Sequence, residues 1–540
     1  SQRILNGNAF GALPCAPESD ALCDDEGNKL LDRAGNPITN FLNGGPYSQL
    51  NLEAVDSNGY GASLQGLIYY TNLSQRILNG NAFAASPCTP AGNTLCDDEG
   101  NPLLDRAGNP ITDFLNGGPY SQLNLEAVDS NGYGASLQLT HDSRISGRHN
   151  LLVVGISIDR GISTYTASSV LGGITSDNGV FIGPGITIDQ RNGPVAPVRL
   201  DSTNTYYGAY VADVFDLTPR LALSLAGRMN VAQIDLQDRI GSALTGNHSY
   251  THFNPGIGIT YRLVPQVSVY ASYSEANRAP TPAELSCASP QSPCTLANFF
   301  TGDPDLKQVV AHTVEAGLRG MLHPATGATL DWKFGLFRTN SDDDILFVAS
   351  SVPGLAYFQN AGRTRRQGIE AGITWQDSRL HAWANYAFTE ATFQTGQTLF
   401  SPLNPAADPA GEIHVVTGDR LPGVPAHRFK FGVSYAVTKA WTVGFSGVVS
   451  SGQYLFGDEA NLTPKTSPYV VLNINSQYHI TPNVEVFGLV QNLLNAQYAT
   501  YGTYSPTSLV PYAKAPNATD TRSLAPAAPI AAYGGVRIRF

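Results

Sequence analysis

Charge is scarce in this 540-residue chain: Asp, Glu, Lys and Arg together make up 14% of it, where ordinary globular proteins carry roughly a quarter. Methionine is nearly missing, with 2 residues. No run approaches the ~18 consecutive apolar residues that a transmembrane helix needs, which excludes a helical membrane span. Ser1 opens directly into SQRILNGN, with no basic segment followed by an apolar one, so no signal peptide is visible. A basic stripe is missing as well. With a net charge of -11 and no clustered cations to neutralise phosphates, nucleic acid is excluded as a partner. There is no GxSxG elbow, no phosphate-binding glycine loop and no HExxH, so the chain reads as a non-enzyme without a cofactor.

What the chain does hold is glycine (54), tyrosine (25) and phenylalanine (22), at a mean hydropathy of only -0.12. That mixture suits strands with one apolar face. Alternation with a period of two bears this out. In QVSVYASY, Val267, Val269, Ala271 and Tyr273 share one face while Gln266, Ser268, Tyr270 and Ser272 share the other. Phe429, Phe431, Val433 and Tyr435 alternate in the same way, as do Val470, Leu472 and Ile474. Four connections are tight, at 217–221, 263–267, 437–441 and 480–484, three of them with a proline whose ring presets the first corner of a turn. Others are long: 160–204, 275–308, 392–425 and 495–530. Roughly sixteen to twenty such strands, too many to close around a dry core, predict an all-β fold. The expectation is a large antiparallel transmembrane β-barrel with short periplasmic turns and long extracellular loops, seated in outer-membrane lipid.

Residues 1–65 and 74–138 repeat one another, from SQRILNGNAF to LNLEAVDSNGYGASLQ. Substitutions cluster around a cysteine loop: Leu13 against Ser86, Glu18 against Ala91, Ser19 against Gly92. A tandem duplication of one strand–loop–strand unit and a join of two related sequences both produce this pattern. Residues 1–73 and 74–138 are accordingly two copies of a unit, with 139–540 as the remainder of the barrel. Six cysteines fall in three close pairs, Cys15 with Cys23, Cys88 with Cys96 and Cys287 with Cys294. All sit in loop sequence, which suits local disulfides in an oxidising compartment. Zinc is the weaker reading, because no pair has a second pair or a histidine at ligand spacing.

Several stretches resemble the barrel of TonB-dependent receptors, in that family's order. These are VYASYSEANRAPTPAEL (269–285), DPDLKQVVAHTVEAGLRG (303–320), YFQNAGRTRRQGIEAGITW (357–375), GDRLPGVPAHRFKFG (418–432) and VQNLLNAQYATYG (490–502). The ending YGGVRIRF resembles the carboxy-terminal signal that outer-membrane barrels present to the barrel assembly machinery, carried here by Tyr533, Gly535, Ile538 and Phe540. The resemblance implies the outer membrane of a Gram-negative bacterium. It further implies TonB-coupled uptake of a scarce nutrient, most commonly a ferric siderophore, with the TonB complex and a siderophore-like ligand as partners. Members also carry an amino-terminal plug and a short TonB-contacting box. Neither is visible here, so the expectation is the carboxy-terminal portion of a longer protein, with a plugless passive pore or an adhesive surface barrel as alternatives.

Candidate site residues are few. Arg278 and Glu284 sit just past a strand end, and Arg365, Arg366 and Glu370 lie on a strand. A wet lumen solvates such charges and lipid does not, so these five are expected to line the substrate path or to hold a plug. Phe299, Phe300, Tyr454 and Phe456 are placed to grip an aromatic chelate or to form an interfacial girdle. His248 and His252, ~13 Å apart on a strand, do not chelate one metal. Asp342, Asp343 and Asp344 lack the spaced ligands of a calcium loop.

Overall fold

In the computed structural model, residues 2–8, 13–14, 22–23, 49–55, 61–90, 92–97, 100–177, 180–190, 197–242, 244–286, 294–295, 306–324, 327–349, 355–505, 507 and 518–539 are described. Within them the chain folds as a closed antiparallel barrel. Its first eight staves are β1 (Ala62–Phe83), β2 (Tyr120–Ile145), β3 (Arg148–Ile174), β4 (Val198–Asp216), β5 (Leu221–Asp238), β6 (Gly246–Val264), β7 (Val267–Arg278) and β8 (Val309–Leu322). The rest are β9 (Thr329–Asp342), β10 (Thr364–Gln376), β11 (Leu380–Phe393), β12 (His427–Ala436), β13 (Trp441–Ser450), β14 (Tyr469–Thr481), β15 (Val484–Gln491) and β16 (Ala531–Ile538). A short strand, Phe181–Thr187, pairs with the far end of β3.

Successive staves pair antiparallel from β1 to β16. At one end they are joined by tight turns. Residues 217–220, 265–266, 437–440 and 482–483 fulfil the four expected turns. Two more were not foreseen: 146–147 and 377–379. Ser146 (φ 51°) and Gly147 (φ 79°) are both left-handed, the backbone of a two-residue hairpin whose twist matches its strands. The expected loop at 160–204 is shorter than the sequence suggested. β3 runs on to Ile174 and β4 begins at Val198, because Thr164–Ala167 find ladder partners in Asp201–Val198. No described helix is long and apolar enough to cross a membrane; the one described helical turn is Pro282–Leu285.

Register decides which face is which. One row runs Leu137, Ile156, Ala209, Met229 and Phe253 across β2 to β6. Another runs Val433, Phe445, Ile474, Val490 and Ala532 across β12 to β16. This face keeps large apolar side chains in the open, Ile156 at 58% and Val536 at 61%, as a lipid-facing band does. The opposite face is polar and lines the lumen. β2 and β3, at 26 and 27 residues, greatly exceed the ~9–11 residues that cross a bilayer, so their far halves project beyond it.

Glycine allows the lumen wall to be cross-braced. Tyr69 on β1 lies over Gly134 on β2 and donates to Asp159 on β3 at 2.5 Å. Tyr210 on β4 lies over Gly155 on β3 and donates to Gln138 on β2 at 2.8 Å. A Cβ on Gly134 would stand 2.0 Å from the Tyr69 ring. The two repeat copies also pair alike. Gln2 faces Val55 as Gln75 faces Val128, and Leu13 faces Cys23 as Ser86 faces Cys96.

Gly134→Val is expected to displace Tyr69, break its bond to Asp159 and cost about 1–3 kcal/mol. Gly161→Ala, with open space around it, should leave stability unchanged. Urea midpoints of the folded barrel in detergent, read by the gel mobility of unheated samples, distinguish the two.

Candidate functional site

At the end opposite the turns, the long loops fold into small cores against the inner face. Leu285 and Leu306, from the connection after β7, pack on Ala167, Leu200, Ile234 and Leu236, and Tyr250 donates to the Leu306 carbonyl at 2.9 Å. Leu95 and Ile111, from the loop after β1, pack on Leu171 and Ile188 beside Tyr120. Phe393, Leu399, Ile413, Val415, Leu421 and Ala460 form a third core, backed by a five-stranded sheet that includes Ile345–Ala349 and Leu355–Asn360. Burial of this order in loops is what rigid recognition surfaces need.

Arg278, Glu284, Arg365 and Arg366 fall in this region, Glu370 lies about midway along β10, and the five do not form one cluster. Arg278, at the end of β7, makes a two-pronged pair with Glu284 (2.7 and 3.0 Å). Glu284 also accepts from the Thr281 backbone at 2.7 Å, and Thr281 Oγ1 accepts from the Glu284 backbone at 3.2 Å. The result is a capping box that fixes the Arg-Ala-Pro turn, so this pair positions Leu285. Arg366 pairs instead with Asp344 at 3.0 Å and donates to Thr364 at 3.1 Å. Glu370 lies on the same inner face of β10, opposite Gly335 and Ala387. Arg365 corrects the sequence reading. One residue from Arg366, it shares the outer face with Ile369 and Ile373 and donates to Asn340 at 2.9 Å, because side chains alternate along a strand.

The three neighbouring aspartates face different cations: Asp342 meets Arg363 at 2.6 Å, Asp343 meets Lys307 at 3.7 Å, and Asp344 meets Arg366. His248 and His252 lie on β6, where His252 approaches Glu275 at 3.4 Å. Cys88 and Cys96 form a disulfide. Cys15 and Cys287 lie outside the described residues, as do the side chains of Cys23 and Cys294. Phe299 and Phe300 also lie outside them. Tyr454 packs beneath Lys465, 4.8 Å from the ring centre, and Phe456 stacks on Tyr501 at 5.2 Å. In the terminal strand Tyr533 and Gly535 face inward and Val536 and Ile538 outward; Phe540 is outside the described residues.

Two features of the mouth had no signal in the sequence. Arg106 crosses to the buried carboxylate of Asp189 (3.0 and 2.7 Å), tying the loop after β1 to the one after β3. Asp458, fully buried, accepts from the backbone of Leu462 and Thr463 and from the side chains of Thr463 and Asn404. Beside it Glu459, 7% exposed, accepts from the Gly457 backbone at 3.0 Å. Burial pushes its carboxyl up to about 7. A raised acid helps the fold fully only below its unfolded value near 4.5, and that contribution is lost as pH rises through about 7. Protease nicking of the 451–468 loop is therefore expected to quicken severalfold from pH 5.5 to 8.5. Glu459→Gln should hold it at the slow, low-pH rate throughout, as mass spectrometry of the fragments would report.

A barrel of this kind has known counterparts. The profile described as TonB dependent receptor-like, beta-barrel matches residues 22–493. The chain is 23% identical over 273 residues to the vitamin B12 transporter BtuB of Photobacterium profundum, covering 50% of this chain and 38% of that protein. Its fold resembles P. aeruginosa FpvA bound to heterologous pyoverdines, with a TM-score of 0.56 at 15% identity, over 94% of this chain and 59% of FpvA. It also resembles the copper transporter OprC, with a TM-score of 0.53 at 16% identity, over 89% of this chain and 66% of OprC. The chain thus spans less than two thirds of the length of each.

Proposed function

The chain belongs to the TonB-dependent receptors, and from that membership we propose that it is the outer-membrane part of a transporter that captures a scarce nutrient and passes it inward under TonB-coupled energy. The observation that carries this reading is the family match over 22–493 on a barrel whose polar lumen opens beneath a mouth of packed loops. We read the nutrient as a ferric siderophore. The exposed aromatic pair Phe456 and Tyr501, stacked on the loop surface, offers flat faces to an aromatic chelate. Pyoverdine is the ligand of FpvA, whereas BtuB is a vitamin B12 transporter. In the same reading TonB and the barrel assembly machinery are partners, the latter through the strand ending at Ile538. Residues 1–73 and 74–138 are two copies of one unit, a reading supported by the matching registers of their described strands.

The test is fluorescence quenching of the purified chain by a panel of ferric catecholate, hydroxamate and carboxylate chelates, with cobalamin alongside. Saturable binding of a ferric chelate is expected, weakened about tenfold by Phe456→Ala, or ~1.4 kcal/mol. Binding of cobalamin alone would overturn the iron reading. A steady large bilayer conductance with no saturable ligand would overturn transport in favour of a passive pore.

A further inference from the structure

The lumen wall carries a row of cations that the mouth does not explain. Across six consecutive staves the register aligns Ser268, Arg319, Lys333, Gly372, Asn385 and Lys430. All six share the polar face. Arg319 and Lys333 are direct cross-strand partners, and like charges so placed oppose folding. None of the three cations forms an ion pair with a described residue, although ion pairs are common elsewhere in the barrel and mouth.

Each of the first two is held by its surroundings. The Arg319 guanidinium lies 5.7 Å from the centre of the Tyr270 ring, and the Tyr270 hydroxyl is engaged by Glu315 at 2.7 Å. The stem of Lys333 lies across Gly372: a Cβ there would meet its Cε at 3.1 Å and its Cγ at 3.3 Å, and Asn385 Oδ1 at 2.7 Å. Glycine thus leaves the room in which Lys333 reaches toward Asn385. Arg319, Lys333, Ser268, Thr374 and Asn385 line one cavity of about 410 Å³, to which Asp331 contributes the one carboxylate. Arg319 also borders a second cavity of about 350 Å³ above Tyr270. The first volume lies within the ~300–1,000 Å³ range of small-ligand sites. Its position, at the 265–266 turn whose Pro265 and Gln266 line it, is near the periplasmic exit of the lumen.

We propose that Arg319 and Lys333 form a seat for a small multivalent oxyanion, a carboxylate or phosphate, on the lumen wall near the exit. Donors from Ser268, Thr374 and Asn385 complete it, and a bound oxyanion offsets the repulsion between Arg319 and Lys333. The seat deepens the transport reading, on which it rests only for the anion's being cargo in transit. Binding itself is independent of that reading.

The experiment titrates inorganic pyrophosphate, and separately citrate, into the purified full chain in neutral detergent, following heat by calorimetry and, for pyrophosphate, the ³¹P line width. Saturable binding is expected, weakening as KCl is raised. Arg319→Gln with Lys333→Met should reduce it at least tenfold, whereas Lys439→Gln in the 437–440 turn should not change it. Lys333→Met keeps the stem over Gly372, and unheated gel mobility verifies folding. Should the double variant not fold, the reversal potential of the parent chain across a KCl gradient still decides: anion preference that pyrophosphate reduces is expected. Equal binding by a folded double variant, no saturable binding by the parent, or an unselective pore indifferent to pyrophosphate would overturn the seat. Ferric chelate binding measured on the same samples tests the transport reading separately, so the two fail independently.

Discussion

A strand that crosses lipid has nowhere to place its backbone N–H and C=O groups except on another strand, and everything else in this molecule depends on that. Each group left unpaired in hydrocarbon costs several kcal/mol, so the staves must pair on both sides and the sheet must curl into a barrel. Closure divides every stave into a face toward lipid and a face toward water. The row from Leu137 to Phe253 and the polar row from Ser268 to Lys430 are the two sides of that division. Low overall charge follows, because half of each spanning segment cannot carry any.

Glycine is the second consequence. A wide lumen leaves large polar side chains without a packed core to hold them, and they lie flat along the wall instead. That requires a neighbouring residue without a Cβ. Gly134 beneath Tyr69, Gly155 beneath Tyr210 and Gly372 beneath Lys333 are instances of one device. In the first two it stitches alternate staves together through hydrogen bonds; in the third it aims a cation. Bracing and the placement of charge therefore draw on the same geometry in the wall.

The mouth obeys other rules. Beyond the bilayer the long staves and loops bury apolar residues inward, as water-soluble domains do, and the ends of β3 to β6 supply the surface they pack on. Charged groups there are paired or capped, as with Arg278 and Glu284 or Arg106 and Asp189. Glu459 is an exception among the described residues, a carboxyl buried with little to stabilise its charge.

Alternation, tight turns and the family's motifs made the barrel, its orientation of short and long connections, and the terminal strand legible in the sequence, since period two and turn chemistry are local properties. The far end of β3 was not legible: Thr164–Ala167 read as loop until Asp201–Val198 supplied ladder partners from a distance. Among the candidate residues, Arg278 and Glu284 lie close in sequence and were seen together, whereas Arg366 and Asp344 belong to different segments and were not. Arg365 was grouped with Arg366 although alternation puts them on opposite faces. By itself the sequence determined that strands form and that one face is apolar. Only the tertiary structure decided which residues stand in one row across six staves, because register is a relation between segments far apart in the chain. Arg319 and Lys430, over a hundred residues apart, share a row for that reason alone.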